Sequence, residues 1–176
     1  MMLVRMCRAL NIEMDHVLEC TDFEKKHPRD WKHVNEVTGT PAVKLEAGTV
    51  ARCWRRRAFW ASFVFLRMQY RKVDPSTVLK GRCRSLVARW RKKLPTITTH
   101  SGSWNMGRVV QQEGGRQGPL LLQEVKNAMG YGTVPLESAM VGQRVVTEKE
   151  VWKALGNSIH ASVMCHVMVS WLVTRC

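Results

Sequence analysis

Between Arg52 and Lys93 the chain places 14 basic residues and one acid, Asp74. The remaining residues hold 14 basic and 13 acidic side chains, so this one stretch carries nearly all of the formal net charge of +14. Strand-like and helix-like runs alternate on both sides of it, while the stretch itself is irregular. That pattern favours an α/β core interrupted by a basic lobe. The basic groups are interleaved with Trp54, Phe59, Trp60, Phe63, Phe65, Tyr70 and Trp90. Such interleaving suits phosphates and bases; a plain solvated face is the competing reading. A charge of this size points to a polyanionic partner or an acidic membrane surface. With 176 residues and 45% apolar side chains, the chain can supply one core and is not wholly disordered.

Several classes are excluded. The longest apolar runs, Ala58–Leu66 and Val167–Val173, fall short of the roughly 20 residues a membrane-spanning helix needs. Arg5, Arg8 and Glu13 interrupt the N-terminal apolar residues, which makes a poor signal peptide. The six cysteines are scattered and form no CxxC pair, so a zinc knuckle is not expected. They read as reduced thiols of a nuclear or cytosolic protein.

The residue pattern sets out the elements. Met14–Cys20 reads as a buried strand, Lys25–Glu36 as a surface helix, and Ala42–Glu46 as a short strand after Pro41. Arg57–Leu66 is rich in strand formers. Thr77–Arg91 has roughly helical spacing. Thr96–Gly107 looks like a strand entering a loop, and Leu120–Met129 like a helix stopped by Gly130. Thr147 and Glu150 form a capping box. Asn157 and Ser158 are placed to cap a last helix, whose stripe of Ile159, Val163, Val167 and Trp171, beside Met164, Met168 and Leu172, is expected to be core.

Three ordered segments resemble the C-terminal half of DNA (cytosine-5) methyltransferases, most closely the animal de novo type. The first is Thr40–Ala47 followed by Arg55-Arg56-Arg57-Ala58-Phe59-Trp60. It is similar to a Pro-led segment with an acid-Ala pair, then an Arg-x-Arg block entering an aromatic strand. The second, Thr96-Ile97-Thr98-Thr99-His100-Ser101-Gly102-Ser103, resembles the Thr-rich loop of the target-recognition region. The third, Ala154-Leu155-Gly156-Asn157-Ser158-Ile159, resembles the terminal Gly-Asn-Ser motif. A looser match puts Val17-Leu18-Glu19-Cys20-Thr21 on the Glu-Asn-Val block, with Cys20 in place of the Asn.

The resemblance implies a partial Rossmann-like methyltransferase core, a truncated sheet with flanking helices, interrupted by a small irregular target-recognition lobe. Residues 1–66 would be the central part of that core, 67–118 the basic DNA-binding segment, and 119–176 the return to the core. The implied reaction transfers a methyl group from S-adenosylmethionine to C5 of a cytosine flipped out of double-stranded DNA. Glu19 would hold the base edge, or else is an ordinary strand-end carboxylate. Arg57, supported by Arg55, would hydrogen-bond the base, or else the block makes generic phosphate contacts. Asn157 and Ser158 would contact the cofactor at a helix start, a role compatible with simple capping. Thr98, Thr99, His100, Ser101 and Ser103 would read the groove, with Lys92 and Lys93 on phosphates. His100 stands where the family commonly has Arg and cannot make a bidentate contact to guanine.

Two family features are missing. No cysteine follows a proline, and no glycine precedes Gly39, so neither the Pro-Cys nucleophile nor the glycine-rich cofactor loop is present. Cys53 lies at the wrong position to replace the nucleophile. The chain is therefore expected to be inactive alone and to work with a complementary methyltransferase half or a homologous subunit. A catalytically dead regulatory partner of a methyltransferase is one alternative. A non-enzymatic basic RNA-binding or ribosome-associated protein is the other; it accounts for the charge but not for the ordered motifs.

Overall fold

A computed structural model describes residues 9–10, 14–69, 71–81, 84–97, 108–141 and 143–175. The fold is mixed α/β, with small antiparallel sheets and, among the described residues, four α-helices. Two compact units divide the chain. One comprises Met1–Glu46, Arg56–Met68 and Cys165–Cys176; the other comprises Ala47–Arg55 and Gln69–Met164.

The first unit is built on β1 (Val17–Thr21), β2 (Val43–Glu46) and β3 (Arg56–Ala61), in the order β1-β3-β2. β3 is central because its alternating side chains bury both faces. Ala58 and Trp60 form a cluster with Trp31 of α1 (Pro28–Thr38). The Trp31 and Trp60 ring centroids stand 4.9 Å apart, and Trp60 Nε1 donates to Asn35 Oδ1 at 2.7 Å. Pro28 opens α1, where its missing N–H costs nothing, and Gly39 ends it at φ 69°, a left-handed conformation that glycine adopts freely. Leu18 packs on the cluster from β1, but β1 is an edge strand and Val17 is exposed, so it is not the buried strand expected.

The second unit has the larger apolar core, including Val78, Leu94, Ile97, Val109, Met129 and Leu155. Around it lie β4 (Ser85–Leu86), β5 (Val110–Gln111) and β6 (Gln117–Gly118), the hairpin β7 (Met140–Val141) and β8 (Arg144–Val145), and helices α2 (Leu122–Met129) and α3 (Glu148–Asn157). The expected capping box opens α3: Glu150 N donates to Thr147 Oγ1 at 3.3 Å, and Thr147 N donates to Glu150 Oε2 at 2.8 Å. Gly130 ends α2 at φ 81°.

One expectation is corrected and two hold in part. The Thr77–Arg91 segment is not helical; it holds two 3₁₀ turns, Pro75–Val78 and Ala88–Trp90, separated by β4. Gly81 at φ 95° turns the chain between them and breaks the helical path. Next, a Rossmann-like sheet calls for parallel strands joined by long crossovers, yet every ladder among the described residues is antiparallel. The link from β2 to β3, residues 47–55, is short enough to favour an antiparallel return. Finally, the last helix, α4 (Ala161–Arg175), buries Val163 and Val167 and half-buries Trp171, so the expected stripe faces inward, while the neighbouring Met164, Met168 and Leu172 are exposed.

Candidate functional site

The β1–β3 register pairs Glu19 with Phe59 and Thr21 with Arg57. Period-2 alternation then puts Glu19 and Arg57 on one face of the sheet, the face opposite Ala58, Trp60 and α1. Arg57 Nε lies 2.7 Å from Glu19 Oε1, and the side chains keep 14% and 23% of their exposure. Arg57 Nη1 also donates to the Arg56 carbonyl at 2.9 Å. An acceptor-only carboxylate thus sits against a donor-only guanidinium in a half-buried position on the sheet. The two residues lie 38 positions apart in the sequence and come together only through the antiparallel pairing.

Arg55 belongs to the other unit and is 1% exposed. Its Nη1 donates to the Ile97 carbonyl at 2.8 Å and its Nη2 to the Gly156 carbonyl at 2.7 Å. Gly156 lies in the last turn of α3, where unsatisfied carbonyls and the helix dipole favour a cation. Arg55 is therefore an internal clamp, and a role supporting the base contact is corrected.

Asn157 and Ser158 are also placed differently from the expectation. Asn157 is the last residue of α3 and Ser158 its C-cap, with Ser158 Oγ donating to the Leu155 carbonyl at 2.9 Å. They end one helix and do not start the next. The start of α4 is capped instead by His160, whose Nδ1 accepts from Ser162 N at 3.1 Å, while Nε2 meets the Ala128 carbonyl at 2.9 Å. A carbonyl only accepts, so Nε2 carries the proton and the ring is neutral. Burial, together with the charges of Arg55, Arg52 and Lys93, holds the His160 pKa below its usual value. A helix C-terminus repels carboxylates, so Asn157 and Ser158 do not fit the carboxylate end of S-adenosylmethionine.

Many charges of the basic stretch are spent internally. Lys93, expected on a phosphate, is 8% exposed and its Nζ donates to the Ala51 carbonyl; that expectation is corrected. Arg84 pairs with the fully buried Glu124 at 2.9 Å. Arg52 Nε donates to Thr77 Oγ1 at 2.7 Å. Left over is a groove of about 690 Å³ in the second unit, lined by Trp54, Lys72, Arg91 and Lys92 and by one carboxylate, Asp74. Lys92 is exposed there, as a phosphate contact requires. Asp74 is occupied: its Oδ1 accepts from Ser76 N and its Oδ2 from Ser76 Oγ, each at 2.8 Å. These bonds hold its carboxyl below the usual carboxylate range.

Thr98, Thr99, His100, Ser101 and Ser103 lie outside the described residues. Cys53 is fully buried with its Sγ 3.6 Å from the Ala128 carbonyl, a packing thiol and not an attacking one. Among the described residues no group of three or more His, Cys, Asp or Glu side chains could hold a metal ion, and no helix is long and apolar enough to cross a membrane. Sequence reasoning missed the groove as a unit and the capping role of His160. Trp54 beside the Arg block was the only signal for the former. No family model matches the chain. No curated protein matches it either.

Proposed function

We propose that this chain is a DNA (cytosine-5) methyltransferase-like protein that binds double-stranded DNA and presents Glu19 and Arg57 to a flipped cytosine. The observation that carries the reading is the contact between those two side chains. A carboxylate accepts from the cytosine amino group, and a guanidinium donates to its carbonyl edge. One pair of neighbouring side chains thus complements the base in both senses. The ordered motifs around Arg55–Trp60, Thr96–Ser103 and Gly156–Ser158 support the same reading.

The methyl donor would be S-adenosylmethionine. Its carboxylate needs donors other than Asn157 and Ser158, and the attacking sulfur needs a Pro-Cys block this chain does not contain. The glycine-rich cofactor loop and the nucleophile would come from a complementary methyltransferase half or a homologous subunit, in a nuclear or cytosolic setting. No methyl transfer is expected from the chain alone. A basic RNA-binding protein is the second reading, favoured by the exposed cations of the groove.

The test is binding to a DNA duplex with one mismatched cytosine against the fully paired duplex. A mismatched base is less costly to flip. The mismatch is expected to tighten binding by about tenfold, and Glu19→Gln to abolish that gain. Equal affinity for the two duplexes, or a gain that survives Glu19→Gln, contradicts the proposal.

A further inference from the structure

Trp54 is 47% exposed, unusual for so large an apolar side chain unless something covers it. Its ring is nevertheless held. Gly48 packs beneath it so closely that a Cβ there would stand 2.7 Å from Cε3, 2.9 Å from Cζ3 and 3.3 Å from Cδ2 of the indole. Only a residue without a side chain lets the ring lie on the backbone in this way. The Trp54 backbone is fixed as well, its N–H donating to the Leu94 carbonyl at 3.1 Å. The indole is thus a fixed plate, one side against Gly48, in the groove that Lys72, Arg91 and Lys92 line.

Among the described residues those three cations form no ion pair, whereas Arg84 is paired with the buried Glu124. The groove volume of about 690 Å³ falls within the range of sites that enclose a small ligand. A paired duplex hides the faces of its bases and would offer the indole nothing to stack on. An unpaired nucleotide offers both a π-face and phosphates.

We propose that the Trp54 groove binds an unpaired nucleotide of a nucleic-acid strand, its base stacked on the indole and its flanking phosphates on Lys72, Arg91 and Lys92. Gly48 is the positioning residue that seats the ring. The inference shares with the proposed function only the statement that the partner is nucleic acid; it needs neither Glu19 nor a methyl donor.

The experiment measures anisotropy of labelled short oligothymidylate and oligouridylate with the full chain. Neither strand contains cytosine. Trp54→Ala is expected to weaken both by about tenfold, the size of one lost base–aromatic stack, while fully paired duplex affinity is unchanged. Lys72→Gln should lower the salt slope by about 0.7, as for one lost phosphate contact to a single strand. Tighter binding of one homopolymer, with both dependent on Trp54, supports the proposal and identifies the preferred sugar. In the unaltered protein, a strand carrying 5-iodouracil should photocrosslink to Trp54, which keeps the test decisive if a variant fails to fold. Unchanged affinity of folded Trp54→Ala, or crosslinks only on peptides lacking Trp54, overturns it. Failure of the mismatched-cytosine test leaves these readouts untouched, so the two ideas fall separately.

Discussion

The two compact units handle charge in opposite ways. In the unit built on β1–β3 the ion pairs keep partial contact with solvent: Lys44 with Asp22 at 3.2 Å, Arg57 with Glu19, Arg175 with Asp15. Its interior is aromatic, built from Trp31, Phe23 and Trp60. In the larger unit charged groups are inside: Glu124, Arg55, Lys126 and Lys93 are all buried. Each there meets carbonyls, backbone N–H groups or an opposite charge. The first unit is held mainly by packed aromatic area, with its charges outside that cluster. The second depends on charges that become costly once a partner is removed.

The sharpest way to break that contrast is Glu124→Ala. Its carboxylate accepts from Lys80 N, Leu121 N and two nitrogens of Arg84, at 2.7–3.0 Å. Removing it strands a partly buried guanidinium, and urea denaturation should show a loss on the order of 5 kcal/mol. In the other unit the matching test is Trp60→Ala, which removes the centre of the aromatic cluster and the bond to Asn35. A loss of about 3–4 kcal/mol is expected in the same assay. If Glu124→Ala costs no more than an exposed substitution, the contrast fails.

His160 sharpens the comparison through pH. Its pKa in the folded protein is lowered, so the unfolded chain binds the proton first. Stability is fully present above the ordinary histidine pKa of 6.5 and is lost as pH falls from there towards the depressed folded value. The melting temperature should decline on acidification across that window, and His160→Gln should flatten the decline. The smallest effect is expected from Lys32→Gln on the exposed face of α1, whose pair with Glu36 at 3.9 Å is open to solvent, so the urea midpoint should not move measurably.

The same difference decides what could be read from the sequence. Arg56–Ala61, Val43–Glu46 and Pro28–Thr38 carry local signals: alternation, a proline at the helix start, a glycine at its end. The Thr147–Glu150 capping box is local too. Strands of two residues such as Ser85–Leu86 carry no period, so Thr77–Arg91 read as a helix. The fate of the basic run was the least legible part. Arg55 meets Gly156 across 101 positions and Arg84 meets Glu124 across 40, and no local pattern announces either. Of the candidate site, the resemblance singled out Glu19 and Arg57 one by one, and their contact arises from the antiparallel register. The Trp54 plate needed Gly48, six residues away, which the sequence presents as one more loop glycine.

The most direct test of the account is the affinity of the purified chain for a DNA duplex against an RNA duplex of the same sequence, measured across a series of salt concentrations. Both should weaken with salt, because exposed cations such as Lys92 meet any polyanion. The account predicts tighter binding of the DNA duplex at every concentration. Equal affinity, or preference for the RNA duplex, would contradict it.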